Sequence, residues 1–304
     1  MANVYDLIII GTGPAGYTAS IYASRYKINH IVIGQVSGGL MIESHRICNF
    51  PGLPDIKGIE LMEKFKKHVG DLGENEINDE VIDVLKKGDN FEVVTRNNGS
   101  QFGKAVLIAI GTKHRKLNLP NEKDYIGKGV TYCAACDAPF FKDKVVAVVG
   151  GSDSANTAAL YLADIATKVY QIYRRDKLRG DPTWIEQVMS NSKIEVLFNK
   201  NVKELGGKEK LEFVKLDDDS ELKINGLFIE IGSVPNLAIT KGLNIKTSEA
   251  GHIECDQGQK TSIEGVWAAG DVTSSSNSFK QIITACAEGA VAANDIFQYL
   301  SKKK

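Results

Sequence analysis

Two apolar strands, each followed by a glycine-rich turn, restrict this 304-residue chain to few folds. The first covers residues 7–10 and leads into the turn 11–16, and the second covers residues 145–149 and leads into the turn 150–155. A continuously apolar, β-branched run is typical of a parallel strand buried on both faces. A helix and another apolar strand follow each turn. After the first turn the helix runs from residue 16 to about residue 26 and the strand covers residues 28–33; after the second turn they cover residues 158–165 and 168–173. One βαβ unit therefore occurs twice, and we predict an α/β fold with two Rossmann-like dinucleotide-binding domains of the three-layer type.

The first turn has glycine at all three positions of the dinucleotide fingerprint, G-x-G-x-x-G. In such a turn the first glycine allows a tight bend, the second lets the backbone approach a pyrophosphate, and the third lets helix and strand pack closely. The helix beyond it presents free N–H groups and a partial positive charge to phosphate. A glycine-rich turn without a ligand is the alternative. The predicted cofactor contacts here are Gly11, Gly13, Pro14, Ala15 and Gly16.

The second turn is less regular, because Ser152 occupies the middle position and Ala155 the third. The Ser152 side chain adds bulk where backbone should approach phosphate, but its hydroxyl can also donate a hydrogen bond to that phosphate. Arginines follow the next strand where an acidic residue would bind a ribose, and a guanidinium matches a 2′-phosphate. This favours NADPH over NADH; a solvated basic loop is the alternative. The predicted contacts are Gly150, Gly151, Ser152, Asp153, Ser154, Arg174, Arg175 and Arg179.

A dithiol, Cys133 and Cys136, lies between the two turns in the chain. Two thiols separated by two residues close into a small disulfide ring that opens easily, so the pair predicts electron transfer. A zinc site would need two further ligands at matching spacing, and the sequence has no second C-x-x-C, so we expect no metal. Asp137 follows the pair and is placed to donate a proton to a departing thiolate, provided that burial raises its pKa.

Near the C-terminus, residues 265–271 form a strand that ends in Gly270-Asp271, and a helix is predicted from about Phe279. The Asp271 carboxylate can accept hydrogen bonds from a ribityl hydroxyl, and the helix can direct its positive end at a flavin ring. A helix-capping aspartate is the alternative. The three remaining cysteines, Cys48, Cys255 and Cys286, are expected to be small buried hydrophobic residues.

Two short strands that end in glycine mark the places where the chain is expected to cross between domains, near residues 114–117 and 243–247. The first domain, predicted to bind FAD, then comprises residues 1–115 plus 246–304 and is discontinuous. The second, residues 116–245, carries the dithiol and is predicted to bind NADPH. A net charge of −1 without a basic stripe argues against a nucleic-acid partner. We expect neither a membrane span nor a secretory signal, and hence a cytoplasmic protein.

Taken together, these motifs and their order resemble the low-molecular-weight flavoprotein thioredoxin reductases, from about Tyr5 to Leu300. The resemblance implies that electrons pass from NADPH through FAD to the Cys133–Cys136 disulfide and then to thioredoxin. It also implies that Cys136 faces the flavin, that Cys133 attacks the substrate disulfide, that Asp137 is the general acid, and that the protein is a homodimer. Further cofactor contacts predicted on this basis are Gly38, Gly39, Asn49, Gly111, Gly270, Asp271, Lys280, Gln281 and Ile282.

Four positions depart from the family pattern: Leu40, Ser152, Tyr173 and Lys280 replace glutamine, glycine, histidine and arginine, respectively. Three alternatives therefore stay open. The first alternative to an NADPH-dependent thioredoxin reductase is a reductase of the same fold that takes electrons from ferredoxin or another donor. The second is a ferredoxin–NADP reductase-like flavoprotein that does not need the dithiol, and the third is a non-enzymatic flavin-binding redox sensor.

Overall fold

The secondary structure is taken from a computed structural model, which describes residues 4–73, 76–235 and 237–303. Its strands are β1 (Val4–Ile10), β2 (His30–Gly34), β3 (Glu76–Asn78), β4 (Val81–Lys87), β5 (Asn90–Thr95), β6 (Ser100–Ile108), β7 (Thr112–His114), β8 (Val130–Thr131), β9 (Val145–Val149), β10 (Lys168–Tyr173), β11 (Ile194–Phe198), β12 (Val202–Gly206), β13 (Phe213–Leu216), β14 (Glu221–Lys223), β15 (Gly226–Ile229), β16 (Ser233–Pro235) and β17 (Val266–Ala268). Its α-helices are α1 (Pro14–Arg25), α2 (Gly58–Asp71), α3 (Glu122–Tyr125), α4 (Ala134–Asp137), α5 (Asp153–Ile165), α6 (Pro182–Ser190) and α7 (Ile282–Lys302). Short 3₁₀ helices cover Gly39–Glu43, Ala138–Phe141, Leu237–Leu243 and Ser276–Ser278.

The chain divides into two compact units. Unit 1 contains the N-terminal stretch up to Ile42, residues 47–113 and the stretch from Val234 onward, and unit 2 contains residues 43–46 and 114–233. Strands β7 and β16, which carry the chain from one unit to the other, pair with each other. The second crossing lies earlier than residues 243–247 because Ile239 and Leu243 are buried in a core cluster of unit 1. Which cofactor each unit binds stays a prediction.

Unit 1 is built on a seven-stranded sheet in the order β3-β2-β1-β6-β5-β4, with β17 also paired to β6. Strands β3, β2, β1, β6 and β17 are parallel neighbours, whereas β4, β5 and the first half of β6 form an antiparallel meander. Alternate residues of β1 point to opposite faces. Leu7 and Ile9 pack against α1 and α7, while Ile8 and Ile10 pack against the meander. The result is three layers: helices, parallel sheet and antiparallel strands.

Unit 2 has the same three layers, formed by other helices and strands. Its central sheet has five parallel strands in the order β11-β10-β9-β15-β8. One face packs on α5 and on the small residues of α4, and the other is covered by the antiparallel strands β12, β13 and β14. Parallel sheets covered on both faces explain the continuous apolar runs in the sequence.

The predicted α/β class with parallel sheets is confirmed, and most element boundaries agree to within a few residues. Helix α5 begins at Asp153, directly after the glycine-rich turn and earlier than the predicted residue 158. Helix α7 begins at Ile282 rather than near Phe279, because a 3₁₀ turn at Ser276–Ser278 precedes it. Strand β2 begins at His30 rather than residue 28. Among the described helices, none is both long enough and apolar enough to span a lipid bilayer.

Candidate redox and nucleotide sites

The first glycine-rich turn connects β1 to α1 in unit 1 and has no room for side chains at two of its three glycines. Gly11 has a φ of +121°, and a Cβ there would collide with the Ala109 carbonyl group. A Cβ on Gly16 would collide with the Gly11 carbonyl oxygen. Gly13, by contrast, is the N-cap of α1, and a Cβ there would meet no atom within 4 Å. Gly13 therefore leaves open space at the N-terminus of α1, where a pyrophosphate would approach.

Gly38 and Gly39 return to this turn from further along the chain. The Gly38 N–H donates to the Thr12 carbonyl oxygen at 2.9 Å, and the Thr12 hydroxyl donates to the Val36 carbonyl oxygen at 2.8 Å. The Cα of Gly13 lies 3.6 Å from where a Cβ of Gly39 would stand. These two predicted contacts are thus brought against the first turn.

The segment Gly270-Asp271, which follows β17, also reaches the start of α1. A Cβ on Gly270 would stand 3.0 Å from the Cβ of Ala15. Burial raises the pKa of Asp271 and lowers the pKa of Lys280, and the attraction between these two opposite charges works against both shifts. Lys280 also donates a hydrogen bond to the Thr273 carbonyl oxygen. Both predicted contacts are therefore partly withdrawn from water in one charged cluster.

The N-terminus of α7 is fixed by a reciprocal capping box between Gln281 and Thr284. The Asn49 amide donates to the Gln281 side-chain oxygen at 2.9 Å, so two predicted contacts that are far apart in sequence meet here. Ile282 packs beside the buried residues Ile47, Ile56 and Leu61. Of the remaining residues predicted in unit 1, Pro14 is the first residue of α1. Gly111 has a φ of +61° and open space around it, and the structure does not bring it against the other predicted contacts through any described hydrogen bond.

The second glycine-rich turn connects β9 to α5 in unit 2. Gly150 has a φ of +144°, and a Cβ there would collide with the Glu230 carbonyl oxygen. A Cβ on Gly151 would stand 2.5 Å from two ring atoms of Tyr173, so the tyrosine ring covers this glycine. Ser152 is the N-cap of α5, but its side chain makes no capping hydrogen bond. Its hydroxyl is therefore available to a phosphate at the helix N-terminus.

The loop after β10 is fastened to this turn by its backbone. The Arg179 N–H donates to the Gly151 carbonyl oxygen at 2.7 Å, and the Asp181 N–H donates to Asp153 Oδ1 at 2.6 Å. The side chains of Arg174, Arg175 and Arg179 are exposed. Within the described part of the chain, none of the three forms an ion pair. Three guanidinium groups are thus presented to solvent beside the turn.

Cys133 and Cys136 form a disulfide with an S–S distance of 2.06 Å, and Cys133 is the N-cap of α4. The Cys136 N–H donates to Cys133 Sγ at 3.1 Å. Thr131 connects Asp137 to the disulfide segment, because its hydroxyl donates to Asp137 Oδ2 and accepts from the Cys133 N–H at 3.1 Å. Cys136 is exposed, and Cys133 and Asp137 are half-buried. Ala134 and Ala138 anchor this segment in the same core as α5.

Two acidic residues at these sites were not found by sequence reasoning. Glu288 of α7 is only 5% exposed and accepts hydrogen bonds from the Gly270 N–H at 2.7 Å and the Thr273 hydroxyl at 3.0 Å. Glu230 follows β15 and lies against Gly150. Their only sequence signal is a charge beside small or apolar residues, which does not reveal a partner. The expectation for Cys48 was wrong, because this cysteine is exposed in an irregular segment, whereas Cys255 and Cys286 are partly buried.

The residues present fit dinucleotide cofactors. In unit 1, Gly13 leaves open space at the N-terminus of α1, here called the cradle, and Gly39 lies beside it. In unit 2, the uncapped N-terminus of α5 is flanked by a free hydroxyl on Ser152 and by three exposed arginines. A parallel sheet with such a turn binds the pyrophosphate of a dinucleotide at the helix N-terminus.

Two nucleotide folds and a redox dithiol define the class of disulfide oxidoreductases that use a flavin and a pyridine nucleotide. The chain matches the family model described as pyridine nucleotide-disulphide oxidoreductase over residues 5–289. The thioredoxin reductase of Peptoclostridium acidaminophilum is 37% identical over 99% of this chain and 98% of that protein. The crystal structure of Lactococcus lactis thioredoxin reductase in the FR conformation has a TM-score of 0.93 and 34% identity, covering 98% of this chain and 99% of that one.

A further similar structure is a ferredoxin-flavin thioredoxin reductase from Clostridium acetobutylicum. Its TM-score is 0.55 and its identity is 32%, over 99% of this chain and 100% of that one. The chain described here therefore belongs to the pyridine nucleotide-disulphide oxidoreductase family and, within it, to the thioredoxin reductases. It is an oxidoreductase, and its Cys133 and Cys136 form a disulfide.

Proposed function

We propose that this chain reduces the disulfide of thioredoxin with electrons that come from NADPH and pass through bound FAD to Cys133 and Cys136. The observation that supports this most directly is the disulfide itself, which is closed on a short helix that shares a core with α5. Helix α5 begins at the second glycine-rich turn, so the proposed redox pair and the proposed nucleotide site belong to the same compact unit. A vicinal dithiol in that position suits electron transfer better than structural cross-linking.

In unit 1, the residues proposed to hold FAD are those around the first turn. Backbone at Gly13 and Gly39 would accommodate the pyrophosphate, and the Asp271 carboxylate would accept hydrogen bonds from the ribityl chain. When bound, FAD supplies a ring that accepts a hydride from reduced nicotinamide and passes the electron pair to a disulfide. The capped N-terminus of α7, held by Gln281 and Asn49, adds a positive dipole end beside these groups.

In unit 2, the dithiol residues carry the exchange with thioredoxin. An electron pair opens the Cys133–Cys136 bond, and the Cys136 N–H, 3.1 Å from Cys133 Sγ, then stabilises a Cys133 thiolate. This thiolate attacks one sulfur of the thioredoxin disulfide and forms a mixed disulfide, while the other thioredoxin sulfur leaves. Asp137, oriented by the Thr131 hydroxyl, is the group proposed to protonate the leaving sulfur. Cys136 then displaces the second thioredoxin sulfur and closes the ring again.

NADPH is proposed as the donor because of the exposed arginines. A guanidinium can bind a 2′-phosphate through two parallel hydrogen bonds, and NADH lacks this phosphate. From the family resemblance we also expect a homodimer in the cytoplasm. Sedimentation of the purified protein at the mass of one chain would contradict the dimer.

A second donor is favoured by one specific observation. The Tyr173 ring covers Gly151, and Ser152 stands where a glycine would let backbone approach the pyrophosphate. Both features restrict the second turn, and one similar structure is named a ferredoxin-flavin thioredoxin reductase. Reduced ferredoxin is therefore the alternative source of electrons, with the same dithiol and the same thioredoxin substrate.

Anaerobic titration of the purified, flavin-loaded protein distinguishes these donors. We expect stoichiometric NADPH to bleach the flavin absorbance, with NADH much slower, and thioredoxin to restore the absorbance on mixing. Bleaching by reduced ferredoxin but not by NADPH would establish the alternative donor. No oxidation of the reduced enzyme by thioredoxin would overturn the proposed substrate.

A further inference from the structure

Glu230 occupies an unusual place for an acidic residue, at the end of β15 beside the second glycine-rich turn. Its N–H donates to the Val149 carbonyl oxygen at 2.8 Å, and its carbonyl oxygen is the atom that a side chain on Gly150 would strike. The carboxyl ends of adjacent parallel strands, here β9 and β15, form the crevice in which such sheets bind nucleotides. The Glu230 carboxyl accepts a hydrogen bond from Ser154 in the first turn of α5, so it lies beside the helix N-terminus at which the phosphates of a dinucleotide would bind.

The groups that act on the Glu230 carboxyl all belong to unit 2. Burial raises its pKa to about 8, and the negative charge of Glu43 adds to that rise. The charge on His114 and a hydrogen bond from the Ser154 hydroxyl of α5 oppose it. His114 Nε2 lies 2.7 Å from Glu43 Oε2, and this hydrogen bond raises the pKa of His114. At neutral pH the carboxyl is therefore mostly protonated, whereas at pH 9 it is mostly a carboxylate.

We propose that Glu230 is a positioning residue of the nucleotide site that must carry a proton while a pyridine dinucleotide is bound. This inference rests on the proposed binding of NADPH by unit 2. Helix α5 offers one N-terminus, and a carboxylate at Glu230 would compete there with the pyrophosphate and repel it. As a neutral acid, the same side chain instead donates a hydrogen bond. The proton comes from solvent, so binding at alkaline pH takes up a proton.

The size of the effect follows from the fraction of protein that is competent to bind. If only the protonated form binds, the apparent dissociation constant rises about tenfold between pH 7 and pH 9. His114 also loses a proton as pH rises, but this loss persists when Glu230 is replaced. A variant at Glu230 therefore distinguishes the pH dependence caused by Glu230 from that caused by His114.

The test is calorimetric titration of the oxidised holoenzyme with NADP⁺ at pH 7, 8 and 9, in two buffers with different ionisation enthalpies. We expect the wild type to lose about tenfold in affinity over this range and to take up close to one proton at pH 9. Glu230→Gln should show about twofold change or less and no uptake. Glu204→Gln, which alters an exposed carboxylate of β12 in the same unit, should behave like the wild type.

A second probe, adenosine 2′-monophosphate, carries the 2′-phosphate but no phosphate on its 5′ oxygen. Its affinity should vary little with pH in all three proteins. An unchanged pH dependence in Glu230→Gln, or the absence of proton uptake in the wild type, would overturn the role of Glu230 and leave the nucleotide site intact. The uptake measurement needs no variant, so it decides the question even if Glu230→Gln does not fold. Failure of NADP⁺ to bind the wild type at pH 7 would instead remove the proposed nucleotide site, and this inference with it.

Discussion

The two glycine-rich turns are copies of one motif, yet the structure completes them in opposite ways. The first turn is surrounded by backbone and small residues, with Gly39 against Gly13 and Gly270 against Ala15. The second turn has more side chains around it, with the Tyr173 ring over Gly151 and three exposed arginines in the loop fastened to it. Added atoms at Gly11 or Gly16 would collide with backbone, whereas a site made of side chains can change its ligand preference by substitution. Retention of the flavin should therefore be fixed by unit 1, and choice of electron donor should be adjustable in unit 2.

The largest expected effect separates flavin retention from electron transfer. Cys136→Ser removes one sulfur of the disulfide and leaves the sequence of the first turn unaltered. We expect the purified variant to keep its yellow cofactor and to lose thioredoxin reduction by about 10³-fold or more, because no ring can form. The measurement is a thioredoxin-coupled assay beside a flavin absorbance spectrum.

Cys48→Ser is the matched control, because this cysteine is exposed and lies outside the disulfide. It should retain wild-type activity. Full thioredoxin turnover by Cys136→Ser would show that electrons bypass the dithiol.

The next effect compares two glycines of the first turn: Gly16, where a side chain would collide with backbone, and Gly13, where a side chain would enter the proposed flavin site. Gly16→Ala places a Cβ against the Gly11 carbonyl oxygen and should destabilise the protein by about 1–3 kcal/mol. Gly13→Ala meets no protein atom within 4 Å and should fold normally, but it should bind flavin more weakly because the methyl group enters the cradle. Urea unfolding and the flavin content per chain measure the two outcomes. Equal stability of the two variants would contradict this division.

In the second turn, a substitution should change donor preference rather than folding. The double variant Arg174→Ala with Arg175→Ala should raise the Michaelis constant for NADPH by about 10–100-fold, because two charge-assisted contacts to the 2′-phosphate are lost. The constant for NADH should hardly change. Lys177→Ala, in the same exposed loop, is the control for charge alone. An equal rise for both nucleotides would mean that these arginines do not read the extra phosphate.

The smallest effect concerns the tyrosine that covers Gly151. The Tyr173 hydroxyl is buried and, among the described residues, has no hydrogen-bond partner. Tyr173→Phe removes this unsatisfied group, so we expect the free energy of unfolding to rise by about 1 kcal/mol with nucleotide affinity nearly unchanged. Thermal unfolding in the absence of nucleotide measures it. A drop in stability would show that the hydroxyl has a partner.

The sequence was most informative where function and fold depend on neighbouring residues. The turn at Gly11–Gly16, strand β9 and the Cys133–Cys136 pair are local patterns, so spacing alone predicted them. The disulfide is found, and the α/β class is confirmed.

What the sequence could not supply depends on distant contacts. The antiparallel strands that cover each sheet carry no distinctive motif. Glu230 and Glu288 become significant only because the fold surrounds them with polar groups from other segments. Whether the predicted cofactor contacts touch FAD and NADPH stays a prediction that the variants above can test.

The assignment of residues 43–46 to unit 2 affects how this protein can be dissected. A gene fragment covering only residues 114–233 would encode the redox helix and the second turn but would omit Glu43. His114 would then lose the carboxylate 2.7 Å from its ring, and its pKa would return toward that of a free imidazole. Titrations of such a fragment would report pKa values from a different electrostatic environment. A fragment that reproduces unit 2 must therefore also include residues 43–46, which come much earlier in the chain.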